Sequence, residues 1–333
     1  GYDVLTSLRR LDIGGGLEAG VAIVVLAIAL DRLSQAFVNR PPPEHGPEYH
    51  RAALSFAKRH PYTLATLAVI LATGLLGLVL PVLQSYPATA QITTGAFWEN
   101  LVQTINVNYF DQLEAVKTFM VLNLLVPVKR FLLGVPWPWF ILLVTLAGWQ
   151  LGRWKLALLC FLLSSFILVN GLWTDAMETI YLCGVSVLIA AAIGIPLGVV
   201  AAQNKRAGRF IGGFIDTLQT LPSFVYLIPV VMLFRVGDFS AMIAVVFYAL
   251  APAVRYTAHG IRAIDPQLIE AGTVSGCTRR QLLWRIKLPL ALPEIMLGIN
   301  QTIMLALSML VITALVGTRD LGQEVYIALT KAD

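Results

Sequence analysis

Apolar residues run through this chain in long stretches separated by short polar ones. Eight stretches reach or approach the ~20 residues an α-helix needs to cross a hydrocarbon layer. They lie at about 17–37, 62–83, 137–151, 155–173, 176–202, 210–236, 239–258 and 293–316. Leu113 to Leu133 differs in kind. Val116, Phe119, Met120, Leu124 and Phe131 recur in a helical pattern, yet Glu114, Lys117, Asn123, Lys129 and Arg130 share the segment. As a crossing it would invert everything before it. The pattern predicts an amphipathic helix lying at the outer interface, bent or divided by Pro127. The later stretches are punctuated by Pro196, Pro222, Pro229 and Pro252. Each removes a backbone donor, leaving a carbonyl that neighbours must re-satisfy. Each is open to two readings: a static kink, or a hinge in helices that rearrange.

Composition agrees with the pattern. Of 333 residues, 57% are hydrophobic and 13% charged, against about 25% charged in a soluble domain. The chain is therefore an all-α, polytopic membrane protein with about eight crossings. The net charge of +5 does not point to nucleic acid, because the basic residues sit in short loops. With 259–290 placed in the cytoplasm, alternation puts 32–59, 152–154 and 203–209 there too. Sixteen of the 24 lysines and arginines then fall on that side and eight on the other, the bias that orients membrane proteins. Cys160, Cys183 and Cys277 are too few and scattered for a disulfide framework or metal site, and the four histidines show no ligand spacing.

The segment Glu270 to Pro289, EAGTVSGCTRRQLLWRIKLP, is the most informative. It lies between apolar stretches and carries Arg279, Arg280, Arg285 and Lys287. It resembles the cytoplasmic loop of ABC-importer permeases, written E-A-A, three residues, Gly, nine residues, I-x-L-P. Glu270, Ala271, Gly276, Ile286, Leu288 and Pro289 fall in register, with Gly272 replacing the second alanine. In that family the loop forms a coupling helix that docks on the cytoplasmic ATPase. Gly276 would permit a sharp turn, and Pro289 would restart a helix at its first turn. Asp265-Pro266 is a helix start, with Asp as N-cap and Pro at N1. Glu270 is expected to dock on the ATPase or cap the coupling helix; a carboxylate in the first turn would also stabilise the helix by ~0.3–1 kcal/mol.

From about Leu101 to Asp333 the chain resembles permeases of the glycine betaine/proline type. The resemblance rests on Gly194-Ile-Pro-Leu-Gly198, Leu218-Gln-Thr-Leu-Pro-Ser-Phe-Val-Tyr-Leu-Ile-Pro229, the Glu270 loop and Asn300-Gln-Thr-Ile-Met-Leu-Ala-Leu-Ser-Met309. It implies a type I ABC-importer permease in a bacterial inner membrane, importing a quaternary ammonium osmolyte by alternating access. It also implies partners: cytoplasmic ATPase subunits carrying ATP and Mg, an external substrate-binding protein, and a second permease half, tandem-fused or a homodimer. No lysine follows a glycine anywhere in the chain, so a phosphate-binding P-loop is absent and no cofactor is expected here. The same machinery for another small solute, or a passive osmotically gated channel, are the alternatives.

Candidate path residues are Gln219, Thr220, Ser223 and Tyr226, with Gln219 and Ser223 at i and i+4 of one helix, and Asn300 and Thr302. Polar groups in a span prefer the bundle interior or a wet cavity, so each could line a path or only bond between helices. Asp216 has Arg209 at i−7 and is expected to form a structural ion pair.

The ends of the chain match each other. Gly1 to Asp12 lies over Gly322 to Asp333 with Gly1/Gly322, Val4/Val325, Leu8/Leu329 and Asp12/Asp333 identical. The expectation is a slice of a tandemly duplicated permease. Residues 1–40 would close an upstream half, and 41–175 would hold a linker (Asn39–Pro47), added spans and the interfacial helix. Residues 176–333 would form the core, with its coupling loop at 262–290.

Overall fold

The computed structural model describes residues 13–38, 61–79, 92–221 and 223–331. Pro222, the linker at 39–47, the end of the stretch at 62–83 and both termini of the chain lie outside the described residues. Those described are helical, with no strand among them. In chain order the helices are α1 (Ile13–Val38), α2 (Pro61–Val79), α3 (Gly95–Met120), α4 (Val126–Gly134), α5 (Trp137–Val169), α6 (Trp173–Gln203), α7 (Lys205–Thr220), α8 (Ser223–Phe234), α9 (Asp238–Arg262), α10 (Pro266–Val274), α11 (Arg279–Gln281), α12 (Leu288–Thr313) and α13 (Leu321–Thr330).

Among the described residues, four helical stretches are long and apolar enough to cross a membrane: α5, α6, α9 and the run from Arg279 to Val316. α5 is not straight. Gly152 and Arg153 leave helical geometry, Arg153 at φ 58°, and the chain doubles back. Ala157 packs against Gly148, and the Phe140 ring meets Trp173 edge-on at 5.5 Å. The two arms match the stretches at 137–151 and 155–173, turning at the expected Arg153.

α9 is the centre. Ala241, Ala244, Ala249, Ala251 and Ala253 are almost completely buried along it, between α6 on one side and α12 on the other. Lipid tails are as apolar as leucine, so burial alone gives little drive for helices to associate in a bilayer; close packing does. Glycines supply it. A Cβ on Gly194 would stand 2.6 Å from the Ala253 Cβ, and one on Gly198 2.6 Å from the Thr257 Cβ. On α12, a Cβ on Gly298 would stand 2.8 Å from the Tyr256 Cβ and 3.2 Å from the Pro252 carbonyl oxygen. Gly194-Ile-Pro-Leu-Gly198 is thus a helix-crossing stripe. Two buried hydroxyls are satisfied within their own helices, Ser186 donating to Leu182 O at 2.7 Å and Thr302 to Gly298 O at 2.9 Å, whereas the Thr257 hydroxyl on α9 has no partner among the described residues.

Three expectations change. The stretch at 210–236 is two helices, because Leu221 is extended (ψ 129°), the conformation favoured before a proline. The segment at 113–133 is not a separate helix but continues, past a kink at Tyr109, one that begins at Gly95. One face of it packs on the main core, with Leu125 buried and Val121, Leu124, Val128 and Leu132 against the cluster. Third, Pro289 restarts nothing. The helix begins at Arg279 and runs on through a π-helical turn, Leu282–Lys287, into α12. The widened turn lets Leu288 N–H bond Leu283 O, accommodating a residue that cannot donate. The same device, Val121–Leu125, precedes Pro127, with Val126 N–H on Val121 O. Pro196, Pro229 and Pro252 lie inside their helices.

Candidate functional site

The inner end of the core is built from the ends of α6, α7 and α9, the short α10, and the start of the Arg279–Val316 run. Ile261, Ile264, Ala291 and Ile295 form a buried cluster there, with Ile269 and Leu288 packed on it. At the end of α9 the Arg262 guanidinium donates to Ala201 O at 2.6 Å, neutralising a carbonyl in the last turn of α6. Gly208 leaves room for this, since a Cβ would meet both groups at 2.6 Å.

Asp265 caps α10 as its position suggests, accepting Gln267 N–H at 2.9 Å, with Pro266 in the first turn. Capping therefore belongs to Asp265 and not to Glu270, which stands a turn further on, exposed to solvent. α10 ends where Gly276 takes φ +79°. Gly276 N–H bonds Thr273 O and Cys277 N–H bonds Gly272 O, the paired bonds of a helix closed by a left-handed glycine. Thr278 and Gln281 then cap the next helix reciprocally.

Gly272 joins the two helices. It is buried, and a Cβ on it would stand 2.5 Å from the Ile286 Cδ1. Ile286 and Leu288 are half-buried behind it, whereas Ala271, Pro289, Arg279 and Arg280 are exposed. The outward face of α10 thus carries Glu270, Ala271, Leu268 and Val274, the last 89% exposed. Beside it are Arg279, Arg280 and Trp284, 68% exposed. The sequence reading assigned no role to Leu268, Val274 or Trp284; for the first two, the i, i+3 spacing with Ala271 was the available signal. Arg279 and Arg280 sit at a helix N-terminus, where positive charge is unfavourable, so helix stability does not account for them.

The remaining candidates are dispersed. Gln219 and Thr220 end α7 and Ser223 begins α8, so the break at Leu221 separates Gln219 from Ser223, which do not share one helical face. Gln219 is exposed, while the Thr220 hydroxyl donates to Thr217 O at 2.9 Å. The Tyr226 side chain lies outside the described residues, as does Pro222. Asn300 is exposed and Thr302 fully buried, on different faces of α12. Asp216 forms its ion pair with Arg255 of α9, at 2.5 Å, instead of with Arg209.

The outer end holds a second cluster. Lys129 of α4 lies 3.3 Å from Glu178 of α6 and 3.3 Å from Asp238 of α9, over the Tyr181 ring. Asp320, almost fully buried, caps α13 by accepting Gln323 N–H. Burial pushes its carboxyl above the ordinary range, although amides of Gln323 and Gly322 and the Thr318 hydroxyl pull it down.

Comparison with known proteins places this architecture. Residues 194–333 match the family described as binding-protein-dependent transport system inner membrane component. The trimethylamine N-oxide transport system permease of Pelagibacter ubique is 37% identical, aligned over 99% of this chain and 46% of its own length. The glycine betaine/proline betaine permease of Escherichia coli is 38% identical over 62% of this chain and 58% of its own length. The glycine betaine/carnitine permease of Listeria monocytogenes is 41% identical over 60% of this chain and 71% of its own length. The chain spans about half the length of the trimethylamine N-oxide permeases it matches.

Proposed function

This chain belongs to the family of binding-protein-dependent transport system inner membrane components, and from that premise we propose that it forms half of the pathway of an ABC importer. The cargo is a small, fully methylated ammonium solute, a betaine or trimethylamine N-oxide. The names of the similar permeases support this class, and the relatives aligned over nearly the whole chain favour the N-oxide within it.

One observation carries the mechanism: α10 presents Glu270, Ala271, Leu268 and Val274 outward while Gly272 ties it to Ile286 of the next helix. A short helix with a solvent-facing acid and bare apolar side chains suits docking into a groove on a partner. The partner is a cytoplasmic ATPase, which supplies ATP hydrolysis with its own Mg. An external binding protein delivers cargo, and a second half completes the path. ATPase closure moves α10, and the Gly272–Ile286 contact passes the movement to α12. Residues 176–333 form the core that moves. Within it Pro196, Pro222, Pro229 and Pro252 are candidate hinges, and Gln219, Thr220, Ser223, Tyr226, Asn300 and Thr302 candidate path positions.

The test is ATP hydrolysis by the full transporter in lipid nanodiscs, with its binding protein and a solute panel. Glu270→Ala combined with Gly276→Val, which cannot hold φ +79° cheaply, is the uncoupled control. Stimulation by trimethylamine N-oxide or a betaine, lost in the control, is the expected result. Stimulation by unrelated solutes alone would discard the cargo and keep the machine. No association with an ATPase would sink the importer reading.

A further inference from the structure

Where α3 passes the outer end of α8 there is a groove of about 390 Å³, within the range of small-ligand sites. Asn106, Phe110, Glu114 and Arg235 line it among apolar neighbours. Asn106 fastens its walls together by donating from Nδ2 to Met232 O at 3.2 Å. Arg235 links α8 to α9 and takes φ +64°, a conformation that glycine or asparagine would adopt at lower cost. The Ser240 hydroxyl bonds its carbonyl and holds it there. The guanidinium then lies 5.9 Å from the centre of the Phe110 ring.

Arg235 forms no ion pair among the described residues, and Glu114 turns to Lys117 at 3.5 Å. A cation and a carboxylate therefore share one groove without neutralising each other, with an aromatic ring on its wall. A cation alone would be repelled by Arg235, and an anion alone would gain nothing from Glu114, whose charge is offset by Lys117. A molecule carrying both charges a few atoms apart meets both. The ring face adds attraction for methylated ammonium.

We propose that this groove binds a small zwitterion, its anionic end on Arg235 and its methylated cationic end against Phe110 on the Glu114 side. The groove then receives cargo at the outer face, a step that rests on the importer reading above. The competing account makes Arg235 a charge at the C-terminal end of α8 with no ligand.

Glycine betaine binding to the assembled transporter, in nanodiscs without binding protein, separates the two. Saturable binding to the wild type is expected, at least tenfold weaker in Arg235→Gly and weakened in Phe110→Leu and Glu114→Gln. Arg235→Gly relieves the left-handed backbone, so its thermal stability should equal or exceed that of the wild type, and lost binding cannot be laid to misfolding. Absent binding to the wild type, or equal binding by Arg235→Gly, overturns the site. ATPase stimulation by loaded binding protein is measured in parallel. If stimulation persists where binding is absent, the groove alone falls; if binding occurs without stimulation, the importer reading falls and the groove stands.

Discussion

α5 and α9 are close in apolarity and opposite in surroundings. Their most apolar windows have mean hydropathies of 1.7 and 1.5, yet 11% of the first is buried and 72% of the second. Hydropathy says that both cross; it does not say which one faces lipid. Residue size does. α5 carries Leu143, Leu146, Trp149, Leu151, Trp154 and Phe166 outward, with Trp149 and Trp154 flanking the turn at Arg153 and Trp137 and Trp139 at its start, as at membrane interfaces. α9 carries alanines, Gly260, Ser240 and Thr257 inward, and its neighbours meet it with glycine. In water such a contrast would be read from polarity. In a bilayer, where lipid satisfies leucine as well as protein does, it is read from how closely backbones approach.

The sharpest way to break this comparison is to add bulk on each helix. Gly198→Leu must displace Thr257 and the Val254 carbonyl, whose oxygen lies 2.7 Å from any Cβ there. We expect about 3 kcal/mol or more of destabilisation, seen as loss of monodisperse protein on heating in detergent. Leu151→Phe, at a position 85% exposed, should leave the melting curve unchanged. Equal effects would mean that α5 is packed against something and the contrast is not intrinsic.

Next in size is Lys129→Met, which tests whether the outer end of α9 is held as specifically as its middle. It leaves Glu178 and Asp238 facing each other without a cation. A loss of about 1–2 kcal/mol is expected, since removing one partner strands the others while partial exposure softens the cost. Glu178→Gln in the same background should recover part of it; no recovery would detach the effect from charge.

Asp320→Asn should stabilise the protein at neutral pH, because burial raises the Asp320 carboxyl and so opposes its charged form. Asparagine keeps the cap on α13 and removes a buried charge. The folded carboxyl holds its proton more tightly than the unfolded one. The wild type's penalty is therefore absent below the ordinary carboxylate range and grows as pH rises through the raised value. Melting the two proteins from pH 4 to pH 8 should show a gap that opens with pH. A constant gap would refute the assignment.

The smallest effect is expected at the inner joint. Gly272→Ala restores the alanine of the family pattern and meets only the flexible ends of Ile286 and Leu282, so a loss under about 1 kcal/mol is expected. Gly272→Leu should cost several times more if this contact is as tight as those on α9.

The comparison also shows what could be read beforehand. The turn at 152–154 was legible as a charged break between two apolar stretches, and the start at Asp265-Pro266 and the stop at Gly276 because one residue's own backbone preference decides each. The prolines were not. Pro289 and Pro127 pass inside continuous helices, while the chain breaks at Leu221, next to Pro222. A π-helical turn precedes Pro127 and Pro289, whereas Pro196, Pro229 and Pro252 are held inside α-helices without one, and which outcome occurs depends on packing beyond the local sequence. Asp216 was paired with Arg209 by helical spacing, but its partner, Arg255, lies on a different helix. Leu268 and Val274 were passed over because an apolar residue in a membrane protein attracts no notice until it is found facing water.

The run from Arg279 to Val316 spans 38 residues, about 57 Å at 1.5 Å per residue, nearly twice the ~30 Å hydrocarbon thickness. It is therefore a lever arm with one end in each aqueous phase. A tilt of about 10° about its inner end sweeps the outer end through roughly 10 Å on that length, several times the play that side-chain packing allows. Its π-helical turn at Leu282–Lys287 sits beside α10 and not at the outer end, with Pro293 shortly beyond it. Under the coupling proposed above, force applied at Gly272 would be spent on aiming the rod, and the helix beyond would carry that aim across the membrane to the tight turn at Gly317.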